Sequence, residues 1–209
     1  MIRLVEFLVL FIGAPILMAV LLPQGWLFPV LLGMMVAGMV LLHLTPGFHW
    51  RDLWRGWRAV RLPVVVLVAV VTFVTGYAVL SVSAPGALFA LVKARPEFML
   101  VIALFYPFLS ALPQELLFRV LYFRRYGAVL PRGTAGLVLN AALFSFGHLM
   151  YWSWVVAGMT FFGGLIFAWA YEVKRSFPLA FVLHSVAGVV LFALGMGVYF
   201  YSGNVVRPF

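Results

Sequence analysis

Long apolar runs separated by short basic loops constrain this chain more than any other feature. Seven runs reach or approach the roughly 20 residues that cross a hydrocarbon core. They are Phe7–Leu22, Trp26–Leu44, Leu62–Val82, Phe98–Tyr122, Thr134–Met150, Trp154–Tyr171 and Phe177–Tyr201. In lipid every backbone polar group must be paired internally, so only helices or closed barrels span a bilayer. The runs lack the alternation of barrel strands. They predict an all-α, polytopic membrane helix bundle of about seven to eight transmembrane helices, the eighth arising if Gly195 and Gly197 break the last run. Residues 1–209 read as a single membrane domain, with no linker, repeat or low-complexity tract.

Composition agrees. Hydrophobic residues make up 66% of the chain and charged residues 9%, whereas a soluble domain is about half apolar and about a quarter charged. The net charge of +9 does not argue for nucleic acid, because the basic residues lie between apolar runs and suit orienting loops. With no cysteine, the chain has no disulfide framework, thiolate metal site or cysteine nucleophile. The N-terminal run lacks a small-x-small cleavage site and reads as a retained first helix.

Charge sets an expected orientation. With the N-terminus in the cytoplasm, that side receives Arg3, Arg51, Arg55, Arg58, Arg61, Arg124, Arg125, Arg132, Lys174 and Arg175. The other side receives only Lys93, Arg95 and Arg207. In the loop HWRDLWRGWRAVR, Trp50, Trp54 and Trp57 recur at helical spacing and predict a short interfacial helix with its indoles in the headgroup layer.

Against this background a few polar residues stand out. The chain has five acids, and Glu115 is the one expected inside a span, roughly 16 Å from the nearest loop by helix rise. Glu6, Asp52, Glu97 and Glu172 fall at segment ends, with Glu172 read as a solvated partner of Lys174. Arg119 is one turn beyond Glu115 on the same face. The pair is either a buried ion pair fixing helix register or part of a site. Asn140, Phe144 and His148 follow at steps of four and are expected on one helix face. His184 enters a third helix from the same side. Two His and one Glu on three helices form a candidate catalytic cluster. Glu115 would act as general base, with one His orienting a water and the other His, or an amide, donating to an oxyanion. Alternatively the same three side chains would hold a zinc ion. The cofactor is therefore none or zinc.

The quoted residues resemble the CPBP family of CAAX prenyl endopeptidases and bacteriocin-processing or bacteriocin-immunity membrane proteins. The family pattern is Glu-Glu-x-x-x-Arg, then Phe-x-x-x-His, then His-x-x-x-Asn or Asp. Here the three read Gln114-Glu115-x-x-x-Arg119, Phe144-x-x-x-His148 and His184-x-x-x-Gly188. The resemblance covers about residues 98–190. It implies an intramembrane endopeptidase in a bacterial inner (cytoplasmic) membrane, acting on a membrane protein or peptide substrate within the lipid bilayer, without nucleic acid. Catalytic roles then fall on Glu115, His148 and His184, with Gln114, Arg119 and Asn140 supporting. The chain departs from the family at Gln114, where the working carboxylate is usual, and at Gly188, where an amide or acid is usual. Asn140 is expected to supply the amide missing at Gly188. The alternative is a catalytically inactive scaffold or immunity protein. A small transporter with Glu115 as proton relay is a third class, disfavoured by the lack of repeat symmetry.

Overall fold

The computed structural model describes residues 2–209, and among these no strand occurs. Six helices are long and apolar enough to cross a membrane, and a seventh is apolar but shorter. In chain order they are α1 (Ile2–Val20), the shorter α2 (Leu27–His43), α3 (Leu62–Ser83), α4 (Pro96–Tyr126), α5 (Gly133–Phe146, whose span runs on through a 3₁₀ turn to Tyr151), α6 (Trp154–Val173) and α7 (Phe177–Leu194). The chain is an integral membrane helix bundle. Val66, Leu67, Val70, Val71 and Val74 of α3, with Leu100, Leu104, Phe105 and Phe108 of α4, form an outer apolar surface that only lipid solvates well.

Contacts between helix ends sort the loops into two sets. At one end, Arg125 of α4 grips Glu6 of α1 with two hydrogen bonds of 2.7 and 2.9 Å. It also donates to the Leu41 carbonyl and the Thr45 hydroxyl after α2. Ser176, capping α7, donates to the Gly56 carbonyl at 2.8 Å. At the other end, Trp152 donates to the Ala19 carbonyl, Arg207 reaches Val20 and Leu22, and the Phe89 amide donates to Leu194. The basic cluster predicted for one side therefore does gather at one end of the bundle. Glu6 lies at a helix end, as its position in the sequence suggested, and there it has a partner. It is the carboxylate that ties α1 to α4.

Small residues set the helix spacing. A side chain on Gly164 of α6 would press on Ala141 of α5 at 3.0 Å, one on Gly38 of α2 on Leu117 of α4 at 2.7 Å, and one on Gly76 of α3 on Leu194 of α7 at 2.9 Å. The long core element is α4. Its second half buries every residue from Leu116 to Tyr122, with α1 packing Phe7 and Phe11 onto Tyr122 and Tyr126.

Three local expectations change. The tryptophan loop forms two single 3₁₀ turns, Trp50–Trp54 and Trp57–Ala59, rather than one helix. Gly56 separates them at φ +88°, a conformation favourable only for glycine, where a Cβ would also meet Ser176 at 2.9 Å. Glu172 pairs with Arg175 at 3.3 Å, while Lys174 sits over the Trp169 ring. The last apolar run ends as a helix at Leu194, where Gly195 takes φ +106°, and resumes as the short helix Gly197–Phe200. That break was legible in the paired glycines.

Candidate active site

Pro107 and Pro113 each remove an N–H from the α4 ladder, and wide π-type turns occur at Pro107–Ala111 and from Leu116 to Tyr126. Glu115, between the two, and Arg119, within the second, are both fully buried and their charged groups approach to 3.2 Å. This is charge contact without the alignment of a hydrogen bond, because Glu115 Oε2 and Arg119 Nε have no hydrogen-bond partner in the protein. Arg119 Nη1 donates to Asn140 Oδ1 at 2.9 Å, and Asn140 Nδ2 donates to the Phe118 carbonyl at 2.5 Å. The guanidinium lies 4.6 Å from the centre of the Phe144 ring, a favourable placement for a desolvated cation. Asn140 is thus the hydrogen-bond partner of Arg119, and it does not stand in for an amide at Gly188.

His184 arrives from α7. Its Nδ1 lies 2.8 Å from Glu115 Oε1, so Nδ1–H donates to the carboxylate and the ring's orientation is fixed. The imidazole stacks on Phe167 at 4.7 Å, with planes 10° apart, and meets Phe144 edge-on. First and third motifs are therefore in direct contact, and Phe144 of the second packs against both.

His148 is placed differently. The regular turns of α5 end at Phe146, and His148 follows two residues on, its ring still against Phe144 at 4.8 Å as the spacing predicts. Its Nδ1 is 2.7 Å from the Phe144 carbonyl. A carbonyl only accepts, so Nδ1 carries the proton and Nε2 holds the lone pair. His148 lines a cavity of about 70 Å³, together with Gln114, Ser110 and Tyr151. The apolar wall of that cavity comes from α1 and α2, including Met18, Leu27, Phe28 and Met34. Glu115 and His184 are not among its lining residues. Neighbours on a helix point about 100° apart, and here Gln114 faces the cavity while Glu115 faces Arg119 and His184.

Among the described residues, no three His, Cys, Asp or Glu side chains converge as a metal ion requires. Glu115 and His184 engage each other, and His148 faces the cavity, which neither of them lines. The donor set does not fit zinc held by Glu115, His148 and His184.

Sequence reasoning passed over Tyr106 and Ser110. Gln114 Nε2 donates to Ser110 Oγ at 3.0 Å, and the Tyr106 hydroxyl lies beside Ser110. Tyr106, Ser110 and Gln114 recur every four residues, a signal of one shared face that the sequence did carry. Four buried polar atoms meet no hydrogen-bond partner among the described residues: Gln114 Oε1, Glu115 Oε2, Arg119 Nε and Arg119 Nη2. Such groups are rare in native interiors, and their concentration here marks the place as a site.

No curated protein and no solved structure matches the chain. Residues 95–190, from the residue before α4 into α7, match the family model of type II CAAX prenyl endopeptidases, Rce1-like, in agreement with the CPBP resemblance of the three motifs.

Proposed function

We propose that this protein is a CPBP-type intramembrane endopeptidase that hydrolyses a peptide bond of a membrane-associated protein or peptide. The observation that carries the reading is the meeting of the three motifs: His184 bonds Glu115 at 2.8 Å, Phe144 packs on both His rings, and His148 opens on a cavity. The cavity's apolar wall suits the side chains of a membrane segment, and its polar wall suits a water and a carbonyl. His148 Nε2 takes the proton of the attacking water and returns it to the leaving amine. Glu115, expected from the sequence to be the general base, does not line the cavity and is engaged by Arg119 and His184. In this reading it fixes the His184 ring and the charge behind the cavity, and the base role passes to His148. Arg119 and Asn140 hold Glu115 in turn, and Gln114 orients the water.

A second reading is favoured by one observation. The residue facing the cavity at the family's carboxylate position is Gln114, whose amide accepts no proton. In that reading the chain binds a membrane peptide or lipidated partner without cutting it, as a scaffold or immunity protein.

The test is purified protein in proteoliposomes, given a pool of single-span peptides and, separately, a prenylated C-terminal peptide, with products read by mass spectrometry. Cleavage of either supports the enzyme and names the substrate class. Retention of a peptide with no product after long incubation supports the binding role.

The orientation we propose is N-terminus in the cytoplasm, in a bacterial inner membrane. Its support is the basic cluster at the end that carries Arg58, with the chain's end beyond seven helices. A reporter fused after Arg58 is expected to read cytoplasmic, and one fused after Phe209 external. If both read the same side, the number of crossings is even and the orientation argument fails.

A further inference from the structure

The family pattern places an Asn or Asp four residues after the α7 histidine, and this chain has Gly188 there. The space is not empty. A Cβ built on Gly188 would run into the ring and hydroxyl of Tyr106, from the first half of α4. The phenol tip lies in the volume that an Asn or Asp side chain at 188 would enter. Gly188 and Tyr106 are thus complementary: the glycine leaves the room, and the tyrosine fills it with a group that carries a hydrogen-bond donor. Ser110, one turn on along the same face of α4, lies beside the Tyr106 hydroxyl and lines the cavity that holds His148, so Tyr106 sits behind that wall rather than among its lining residues. The Tyr106 ring also meets His184 edge-on at 6.1 Å, with planes 70° apart. A tyrosine held only by packing needs no hydroxyl, and Phe would fill the same space. A hydroxyl at this point, beside the polar wall of the cavity, has a use in acyl transfer.

We propose that Tyr106 is the oxyanion donor of this site, replacing the side chain absent at Gly188. The inference rests on the endopeptidase reading. Water attacks the scissile carbonyl carbon, its proton passing to His148 Nε2. The C=O π pair moves onto oxygen, and the Tyr106 O–H donates a hydrogen bond to that oxyanion without giving up its proton. Collapse re-forms the carbonyl, the C–N bond breaks, and His148 returns the proton to the amine. Charge on the oxygen is larger in the tetrahedral intermediate than in the substrate, so the bond strengthens most where it speeds the reaction.

The test is turnover of whichever membrane peptide the wild-type protein cleaves, measured in the same proteoliposomes. Tyr106→Phe keeps the ring at Gly188 and removes only the donor. It is expected to lower kcat by about 100-fold or more, the usual effect of deleting one oxyanion donor, with KM and melting temperature little changed. The second arm is Tyr106→Ala combined with Gly188→Asn, which returns an amide to the vacated space. That double variant is expected to turn over faster than Tyr106→Ala alone. A Tyr106→Phe protein within threefold of wild-type kcat overturns the assignment. So does one that loses stability and activity together, because the hydroxyl is then structural. Absence of turnover in the wild type overturns the endopeptidase reading, and this inference with it.

Discussion

Replacing Arg119 by Met is expected to destabilise the protein by about 3–5 kcal/mol, the usual cost of stripping one partner from a buried ion pair. Both members of the pair are fully buried, and no other cation approaches Glu115 among the described residues. The substitution would leave a carboxylate in a low-dielectric interior with only the His184 N–H against it, and would free the Asn140 carbonyl oxygen. Most of the loss belongs to the stranded charge rather than to the attraction itself. Adding Glu115→Gln should therefore recover much of the stability, and a double-mutant cycle measures the coupling directly. The readout is reversible unfolding of detergent-solubilised protein, by the midpoint for each of the four members of the cycle. A single-variant loss below about 1 kcal/mol would mean that water or a rearranged side chain already solvates Glu115, as at an exposed pair. The site would then be wetter than its packing indicates.

How much of this was legible beforehand depends on what kind of information each feature needs. The spans were legible because lipid enforces length and apolarity locally, run by run. Glu115, Arg119, Asn140, His148 and His184 were legible because a polar group inside an apolar run is costly and invites a reason. Their partnerships were legible only in part. The Glu115–Arg119 pair follows from i, i+4 spacing, but whether His184 or His148 meets Glu115 depends on how α5 and α7 pack, which spacing within a helix does not report. His148 illustrates the limit: the step of four from Phe144 correctly puts the two rings side by side, yet spacing does not say that His148 opens on a cavity wall while His184 meets Glu115. Gly56 was visible as a residue, but its left-handed conformation only makes sense once Ser176 is known to lie against it. The Tyr106–Gly188 fit was out of reach for the same reason. A glycine in a membrane helix usually means close packing, and nothing in the sequence says which side chain, 82 positions earlier, occupies the space.

Gln114→Glu is expected to raise kcat/KM by about tenfold or more, since a well-placed proton acceptor contributes 100-fold or more to such reactions. The residue faces the cavity beside His148 and is tethered by Ser110. A carboxylate there needs no new room, because Glu and Gln have nearly the same shape. The Ser110 hydroxyl, which now accepts from the amide, can turn and donate to the carboxylate. The water between positions 114 and 148 would gain an acceptor in place of a group that only orients it. The opposing effect is repulsion from Glu115, the next residue in the chain. That repulsion is limited, because Glu115 points toward Arg119 and His184, whose guanidinium and N–H already compensate it. The balance favours gain. Melting temperature must be measured alongside turnover, since an uncompensated charge would lower both. Activity appearing in Gln114→Glu where the wild type has none would mean that the natural chain is a binding protein built on an intact catalytic frame. Unchanged or lower turnover in a variant of wild-type stability would place water activation elsewhere than the Gln114–His148 wall, and the carboxylate of Glu115 would be the remaining candidate.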